Sequence, residues 1–280
     1  MTVSNDKSHL SAQATEGSTL TLDDGEIHVC QDGPRDAPEL LLIHGTAASL
    51  RTWDPMVPLL TESHHVIRID LLGCGRSAKP DGASYAVRDQ AHRVGAALDR
   101  LGAGQAVVVG HSSGGTVSTA LAEQRPDLVT ALALINTGPD MGAYIADETA
   151  IGPAQWPDLT DGQLRQILSS AFSAGYKIPQ PFVDEARGLN LRVFAATSQA
   201  VRAYLEEQAL PGRLAILGKP LLVIFGEDDR RWRSSSAAGY RDVPGAAVEM
   251  LPGVGHSPNI EDPLRTAASL LAFTANHAPA

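Results

Sequence analysis

The sequence predicts a mostly parallel, doubly wound α/β sheet that opens with an antiparallel hairpin and carries an inserted helical cap. Three observations predict it. Six short runs are largely apolar and too short for helices, which suits strands covered on both faces. Helical patterns lie between most of them, the alternation expected of a parallel sheet with crossover helices. One interval of roughly 80 residues is far longer than a crossover helix needs, so something is inserted there.

The hairpin comes first: Leu20 to Leu22 and Ile27 to Cys30 flank Asp23-Asp24-Gly25-Glu26, where Asp-Gly supplies the backbone conformation of a tight turn. The strand runs follow at Leu40–Ile43, Val66–Ile69, Ala106–Val109, Leu128–Ile135, Leu221–Phe225 and Val248–Leu251. Helical patterns cover Ser49 to Leu60, Tyr85 to Leu101, Gly115 to Gln124 and Pro263 to Ala275. Within the long interval, helical spacing recurs over Leu164 to Phe172 and Val193 to Leu205, among the aromatics Trp156, Phe172, Tyr176, Phe182, Phe194 and Tyr204. The organisation expected is a flexible tail over 1–17, a core over 18–137 and 220–280, and a helical cap over 138–219 whose aromatics build its own core and wall a pocket.

Composition narrows the function. The 280 residues carry 22 basic and 32 acidic side chains, a formal charge of −10, and 43% are hydrophobic, enough to bury a core. An acidic chain argues against nucleic acid or an anionic membrane as partner, because both attract clustered Lys and Arg. A small, largely apolar substrate is expected instead. Met1 to Gly17 holds Asn5, Asp6, Lys7, Ser8, Gln13 and Glu16 where a signal peptide would be apolar, and no run approaches the ~20 residues of a membrane helix, so a cytoplasmic location is expected. Cys30 and Cys74 make neither a C-x-x-C pair nor a zinc spacing and are expected as free thiols.

The chemistry is concentrated where strands end. Val107-Val-Val109 runs into Gly110-His-Ser112-Ser-Gly114-Gly115 and then into a helical pattern, giving G-x-S-x-G in strand, turn and helix context. Glycines suit a turn too tight for flanking Cβ atoms, and the turn lifts Ser112 to a helix N-terminus, where backbone N–H groups favour developing negative charge. A serine needs a base and an orienting acid. Of nine histidines only His256, in Gly253-Val-Gly-His256-Ser-Pro258, follows a strand run in this way. The carboxylates Glu227, Asp228 and Asp229 follow Phe225 and Gly226, and only one of the three can meet His256. Oxyanion donors are expected at the backbone N–H of Ser113 and, from the loop His44-Gly-Thr46-Ala-Ala48, at that of Thr46. His44 is expected to brace this loop. Trp156, beside Pro153 and Pro157, is the cap residue expected to line the substrate pocket.

These segments, together with Leu41-Leu-Ile-His44-Gly45 and Asp70-Leu-Leu-Gly73-Cys-Gly75-Arg76-Ser77, resemble the α/β-hydrolase superfamily, in its serine-nucleophile branch with a helical cap. They keep the family's order from about residue 20 onward, with nucleophile, acid and base in succession. The resemblance implies Asp229 as the acid, three residues after Gly226; Arg230, Arg231 and Arg233 then account for Glu227 and Asp228 as their solvated partners. Asp140, after the preceding strand, is the competing candidate. In the same resemblance Arg76 and Ser77 have a packing role.

The residue choices also exclude. Haloalkane dehalogenases and epoxide hydrolases need a carboxylate where Ser112 stands. Carbon–carbon hydrolases, which usually show Gly-Gly-Pro-Gly where this chain has Thr46-Ala-Ala-Ser-Leu50, fit less well but are not excluded, and Ser113 departs from the tryptophan that prolyl aminopeptidases carry there. Hydrolysis of a small ester, thioester or lactone through an acyl-enzyme on Ser112 is the expected function. Neither metal nor organic cofactor is implied, since H-E-x-x-H and G-x-G-x-x-G are missing. The alternatives are the same triad in acyl transfer, cyclisation or cofactor-free perhydrolysis, or a ligand-binding module of the same fold.

Overall fold

The apolar runs assemble into one eight-stranded sheet. In a computed structural model that describes residues 17–146 and 154–277, the strands are β1 (Ser18–Leu22), β2 (Gly25–Asp32), β3 (Glu39–Ile43), β4 (His65–Ile69), β5 (Ala106–His111), β6 (Val129–Ile135), β7 (Leu221–Gly226) and β8 (Ala247–Leu251). Their order is β1-β2-β4-β3-β5-β6-β7-β8, with β1 and β2 antiparallel and β3 to β8 mutually parallel. Except for Gly17, the tail expected over 1–17 lies outside the described residues, as do 147–153 of the expected cap and its Pro153.

Period-two alternation divides the core into two layers. Leu41, Ile43, Val108, Leu134 and Phe225 face one cluster, while Leu40, Leu42, Val107, Val109 and Ile224 face the other with Trp53, Met56 and Leu270. The central strands are thus buried on both sides, as all-apolar runs require. β8 differs, since as an edge strand it leaves Ala247 exposed and Val248 to Met250 half-buried.

The helices are α1 (Val57–Leu60), α2 (Val87–Leu101), α3 (Ser113–Gln124), α4 (Asp161–Leu168), α5 (Gln180–Arg187), α6 (Leu191–Glu207), α7 (Leu210–Leu217), α8 (Pro258–Glu261) and α9 (Pro263–His277). The helix expected over Ser49 to Leu60 is instead a 3-10 turn, Leu50–Trp53, followed by the single turn of α1. Pro55 and Pro58 explain the break, because each removes a donor and disfavours helical backbone before it. The helix expected from Leu164 begins earlier, where Thr160 and Gln163 form a reciprocal capping box, and yields at Ser169 to a 3-10 turn.

The interval between β6 and β7 packs in two ways. Leu164, Phe172, Ile178 and Val183, from α4, α5 and the segment between them, form a cluster of their own with Ile260 of α8. Val193, Tyr204, Leu205, Leu210 and Leu214, from α6 and α7, join the core layer over α2 and α3. Among the described residues no helix is long and apolar enough to cross a membrane.

Candidate active site

Ser112 is the single residue between β5 and α3, and it turns the chain with φ 53° and ψ −123°. For a residue with a side chain this backbone stores about 1–3 kcal/mol, sustained by its surroundings. Ser112 N–H donates to the Ile135 carbonyl at 2.8 Å, and its own carbonyl accepts from Thr137 Oγ1 at 2.9 Å. A Cβ at Gly110 would lie 2.5 Å from Gly115 Cα, and one at Gly114 would lie 2.4 Å from the Ile43 carbonyl oxygen, so strand and helix meet backbone to backbone.

The carboxyl ends of β5, β7 and β8 bring three side chains together. His256 Nε2 lies 2.9 Å from Ser112 Oγ, and His256 Nδ1 lies 2.9 Å from Asp229 Oδ2. His256 and Asp229 are buried, whereas Ser112 is half-exposed. With a proton on Nδ1 donated to Asp229, Nε2 is free to accept the Ser112 hydroxyl. Burial pushes the Asp229 carboxyl up, but His256, the Asn136 amide and the Arg231 backbone N–H outweigh it and hold the group below the usual carboxylate range.

Register separates the three consecutive carboxylates. Asp229 turns inward and accepts from the N–H groups of Arg231 (2.7 Å) and Trp232 (3.1 Å), while Glu227 and Asp228 are exposed. The expected pairing of Glu227 and Asp228 with the arginines is not formed among the described residues. Arg230 Nη1 donates to the Ser169 carbonyl and Arg231 Nε to Ser170 Oγ, each at 3.3 Å, because both side chains lean onto the inserted segment. Asp140 caps the 3-10 turn Met141–Ala143 by accepting from Gly142 N–H at 2.7 Å.

Thr46 and Ser113 meet beside Ser112, with Thr46 Oγ1 donating to Ser113 Oγ at 2.7 Å. As the first residue of α3, Ser113 has a backbone N–H with no acceptor within the helix. The loop carrying Thr46 is braced as expected by His44, whose Nδ1–H donates to the Gly45 carbonyl at 2.7 Å while Nε2 accepts from Leu71 N–H at 3.1 Å. Burial lowers the His44 pKa and keeps the ring neutral, as these two bonds require. Asp70 adds a second brace: its carboxylate accepts from Leu50 N–H (2.7 Å), Arg76 N–H (2.9 Å) and His28 Nδ1–H (2.9 Å). Ser77 Oγ donates to the Asp70 carbonyl at 2.6 Å.

A cavity of ≈ 10 Å³ is bounded by Thr46 and Ser113 and walled by Leu71, Val87, Val117 and Val201. Trp156 stands elsewhere, packed on the α4–α5 cluster with its indole N–H donating to the Ala186 carbonyl at 3.1 Å. Among the described residues no group of three or more His, Cys, Asp or Glu is placed to hold a metal ion.

Sequence reasoning missed three supporting residues. Asn136, at the end of β6 with φ 45°, donates from Nδ2 to Asp229 Oδ2 (2.7 Å) and accepts at Oδ1 from Gly226 N–H (3.1 Å). His111 donates from Nε2 to the His256 carbonyl at 2.8 Å. Glu261 accepts backbone N–H groups on both sides of His256. A buried asparagine closing an apolar strand was the one available signal.

A family model described as "Alpha/beta hydrolase family" matches residues 40–269. "Putative carbamate hydrolase RutD" of Pseudomonas syringae pv. syringae (strain B728a) is 31% identical, over 89% of this chain and 97% of that protein. "Carboxylesterase YbfK" of Bacillus subtilis (strain 168) is 26% identical, over 89% of this chain and 84% of that protein. The crystal structure of a hydrolase from Pseudomonas aeruginosa PA01 superposes with a TM-score of 0.77 at 26% identity, covering 93% of this chain and 99% of the other.

Proposed function

The chain belongs to the alpha/beta hydrolase family, and on that premise we propose that it hydrolyses a small carboxylic ester, thioester or lactone through an acyl-enzyme on Ser112. The observation that carries this reading is the unbroken hydrogen-bonded line Asp229–His256–Ser112, each link 2.9 Å. His256 Nε2 takes the hydroxyl proton as Ser112 Oγ attacks the acyl carbon, and Asp229 stabilises the imidazolium that forms. The N–H groups of Thr46 and Ser113 receive the tetrahedral oxyanion. His256 then gives its proton to the leaving alcohol, thiol or ring oxygen, and the acyl group stays on Ser112. Water repeats the sequence, with His256 as its base, and releases the acid.

The cavity beside Thr46 and Ser113 supports a short, apolar acyl group, because ≈ 10 Å³ is room for about one water-sized or methyl-sized group. In this reading α4, α5 and the loops around them are the cap over the site, with Trp156 fixing α5 through Ala186. The relatives bear the names of a carbamate hydrolase and a carboxylesterase, and a serine acyl-transfer site serves both bond types.

The test is covalent. A fluorophosphonate should label Ser112, and Ser112→Ala should lose both the adduct and turnover of p-nitrophenyl esters, with acetate and propionate preferred over octanoate. An adduct mapped to Ser113, or none, overturns the assignment. A preference for octanoate overturns the acyl-size reading alone.

A further inference from the structure

The loop that carries His256 is held from two sides. On the core side His111 Nε2–H donates to the His256 carbonyl at 2.8 Å and Asn136 Nδ2–H to the Gly255 carbonyl at 3.2 Å. On the other side stands Glu261, at the end of α8. Its Oε2 accepts from Gly255 N–H at 3.1 Å and its Oε1 from Ser257 N–H at 3.0 Å, so one carboxylate straddles the base. The same Oε2 also accepts from Ser173 N–H, at 2.8 Å, and Ser173 belongs to the segment inserted between β6 and β7.

Other contacts run parallel to this bridge. Ser257 Oγ donates to the Ala171 carbonyl at 2.7 Å, and the Tyr176 hydroxyl donates to the Ile260 carbonyl at 3.3 Å. A Cβ at Gly255 would lie 2.1 Å from Ser173 N and 2.5 Å from the Phe172 carbonyl carbon, so the two backbones touch with no side chain between them. Arg230 and Arg231 grip Ser169 and Ser170 from the acid loop. Residues 169–173 are therefore braced against both the acid loop and the base loop. Through Glu261 that brace reaches Gly255 and Ser257, the residues on either side of His256.

We infer that Glu261 is a positioning residue: it locks His256 into the register that reaches Ser112 and makes that register depend on the inserted segment. The role rests on the reading of His256 as the base of Ser112, and it gives that base a second, remote determinant. A neutral amide at position 261 turns an N–H₂ group toward at least one of three backbone N–H donors, leaving it unpaired. The imidazole then loses its alignment, while the substrate-binding surfaces stay as they are. A displacement of about 1 Å at a reacting group costs on the order of 100-fold in rate.

The test compares wild type, Glu261→Gln and Glu261→Asp in the full chain. Steady-state kinetics on p-nitrophenyl acetate should show kcat reduced about 10- to 100-fold in Glu261→Gln with KM within about twofold, and fluorophosphonate labelling of Ser112 should slow in parallel. Glu261→Asp, which keeps the charge and both oxygens, should recover part of the loss. Proton NMR adds a readout that needs no substrate: the far-downfield His256 Nδ1–H resonance should broaden or vanish in Glu261→Gln and persist in Glu261→Asp. An unchanged resonance and labelling rate in Glu261→Gln overturn the inference, as does equal damage in both variants accompanied by loss of cooperative thermal unfolding. Absence of label on wild-type Ser112 overturns the hydrolase reading instead, and the resonance still decides the role of Glu261.

Discussion

His111 and His256 lie with ring centroids 5.2 Å apart, and the first donates to the backbone carbonyl of the second at 2.8 Å. The residue preceding Ser112 on the β5–α3 turn therefore holds the loop of His256, the base in the proposed mechanism. His111 Nδ1 has no hydrogen-bond partner among the described residues, so the ring contributes one donor and its packing, in a T-shaped contact with Trp53.

Replacing that donor should be felt in catalysis before it is felt in binding. His111→Phe keeps an aromatic ring and loses the bond, while His111→Gln keeps an N–H at nearly the same reach. We expect kcat for p-nitrophenyl acetate to fall about tenfold in the Phe variant, the size of one hydrogen bond of about 1.4 kcal/mol, and to recover in the Gln variant. Equal kcat in wild type and His111→Phe would show that the bond does not orient His256.

The same ring makes stability depend on pH. Burial, aided by the neighbouring His256, lowers the His111 pKa from 6.5 to about 3. Between those values the unfolded chain binds a proton that the folded chain refuses, so unfolding free energy falls as pH drops below about 6.5. One such histidine accounts for about 2 kcal/mol at pH 5 relative to pH 8. His44, also lowered by burial, acts with the same sign. Asp229, whose pKa is lowered, contributes stability above the ordinary carboxylate range that is lost only at still lower pH. Urea unfolding at pH 8 and pH 5 should show the drop, and His111→Phe should shrink it by about 2 kcal/mol. An undiminished drop in that variant would place the acid sensitivity elsewhere.

Burial decides between the carboxylates at the end of β7. Asp229→Asn leaves geometry in place but withdraws the acceptor that fixes the His256 tautomer, and turnover should fall on the order of 10⁴-fold. Asp228 is exposed, so Asp228→Asn should retain most activity. Asp140→Asn keeps the Oδ1 acceptor that caps a turn and should be close to wild type. Equal losses at positions 228 and 229, or a severe loss at 140 alone, would show that the acid is another residue.

Asp70 is the joint between the β3 and β4 loops. Three donors converge on its buried carboxylate, so Asp70→Asn leaves at least one buried donor facing an amide N–H₂. We expect a loss on the order of 3 kcal/mol in urea unfolding. A variant as stable as wild type would mean that water replaces the missing acceptor.

The sheet and the three residues at its carboxyl edge were legible because most strands centre on a short, largely apolar run and Ser112, Asp229 and His256 lie in the turns just after three of them. Ser49 to Leu60 misled, since its apolar spacing is helical while Pro55 and Pro58 interrupt the backbone. The division of the inserted interval was also hidden: the apolar positions of α6 and α7 have the same period as those of α4, and only packing shows that they face α2 and α3. Glu261 was least legible of all. In Ser257-Pro-Asn-Ile-Glu261 it resembles a surface charge, and its meaning depends on Ser173, 88 residues away.

Ser112 and His256, the proposed nucleophile and base, are 144 residues apart, and His256 hangs on β8, the half-exposed strand at the sheet's far edge. A ribosome therefore completes the turn around Ser112 long before it supplies the strand that brings His256 to it. On the proposed roles, the nascent chain carries an ordinary serine alcohol until β8 docks. Recovery of activity on dilution from denaturant consequently requires β8 to be docked, a step that recovery of helical circular dichroism does not report.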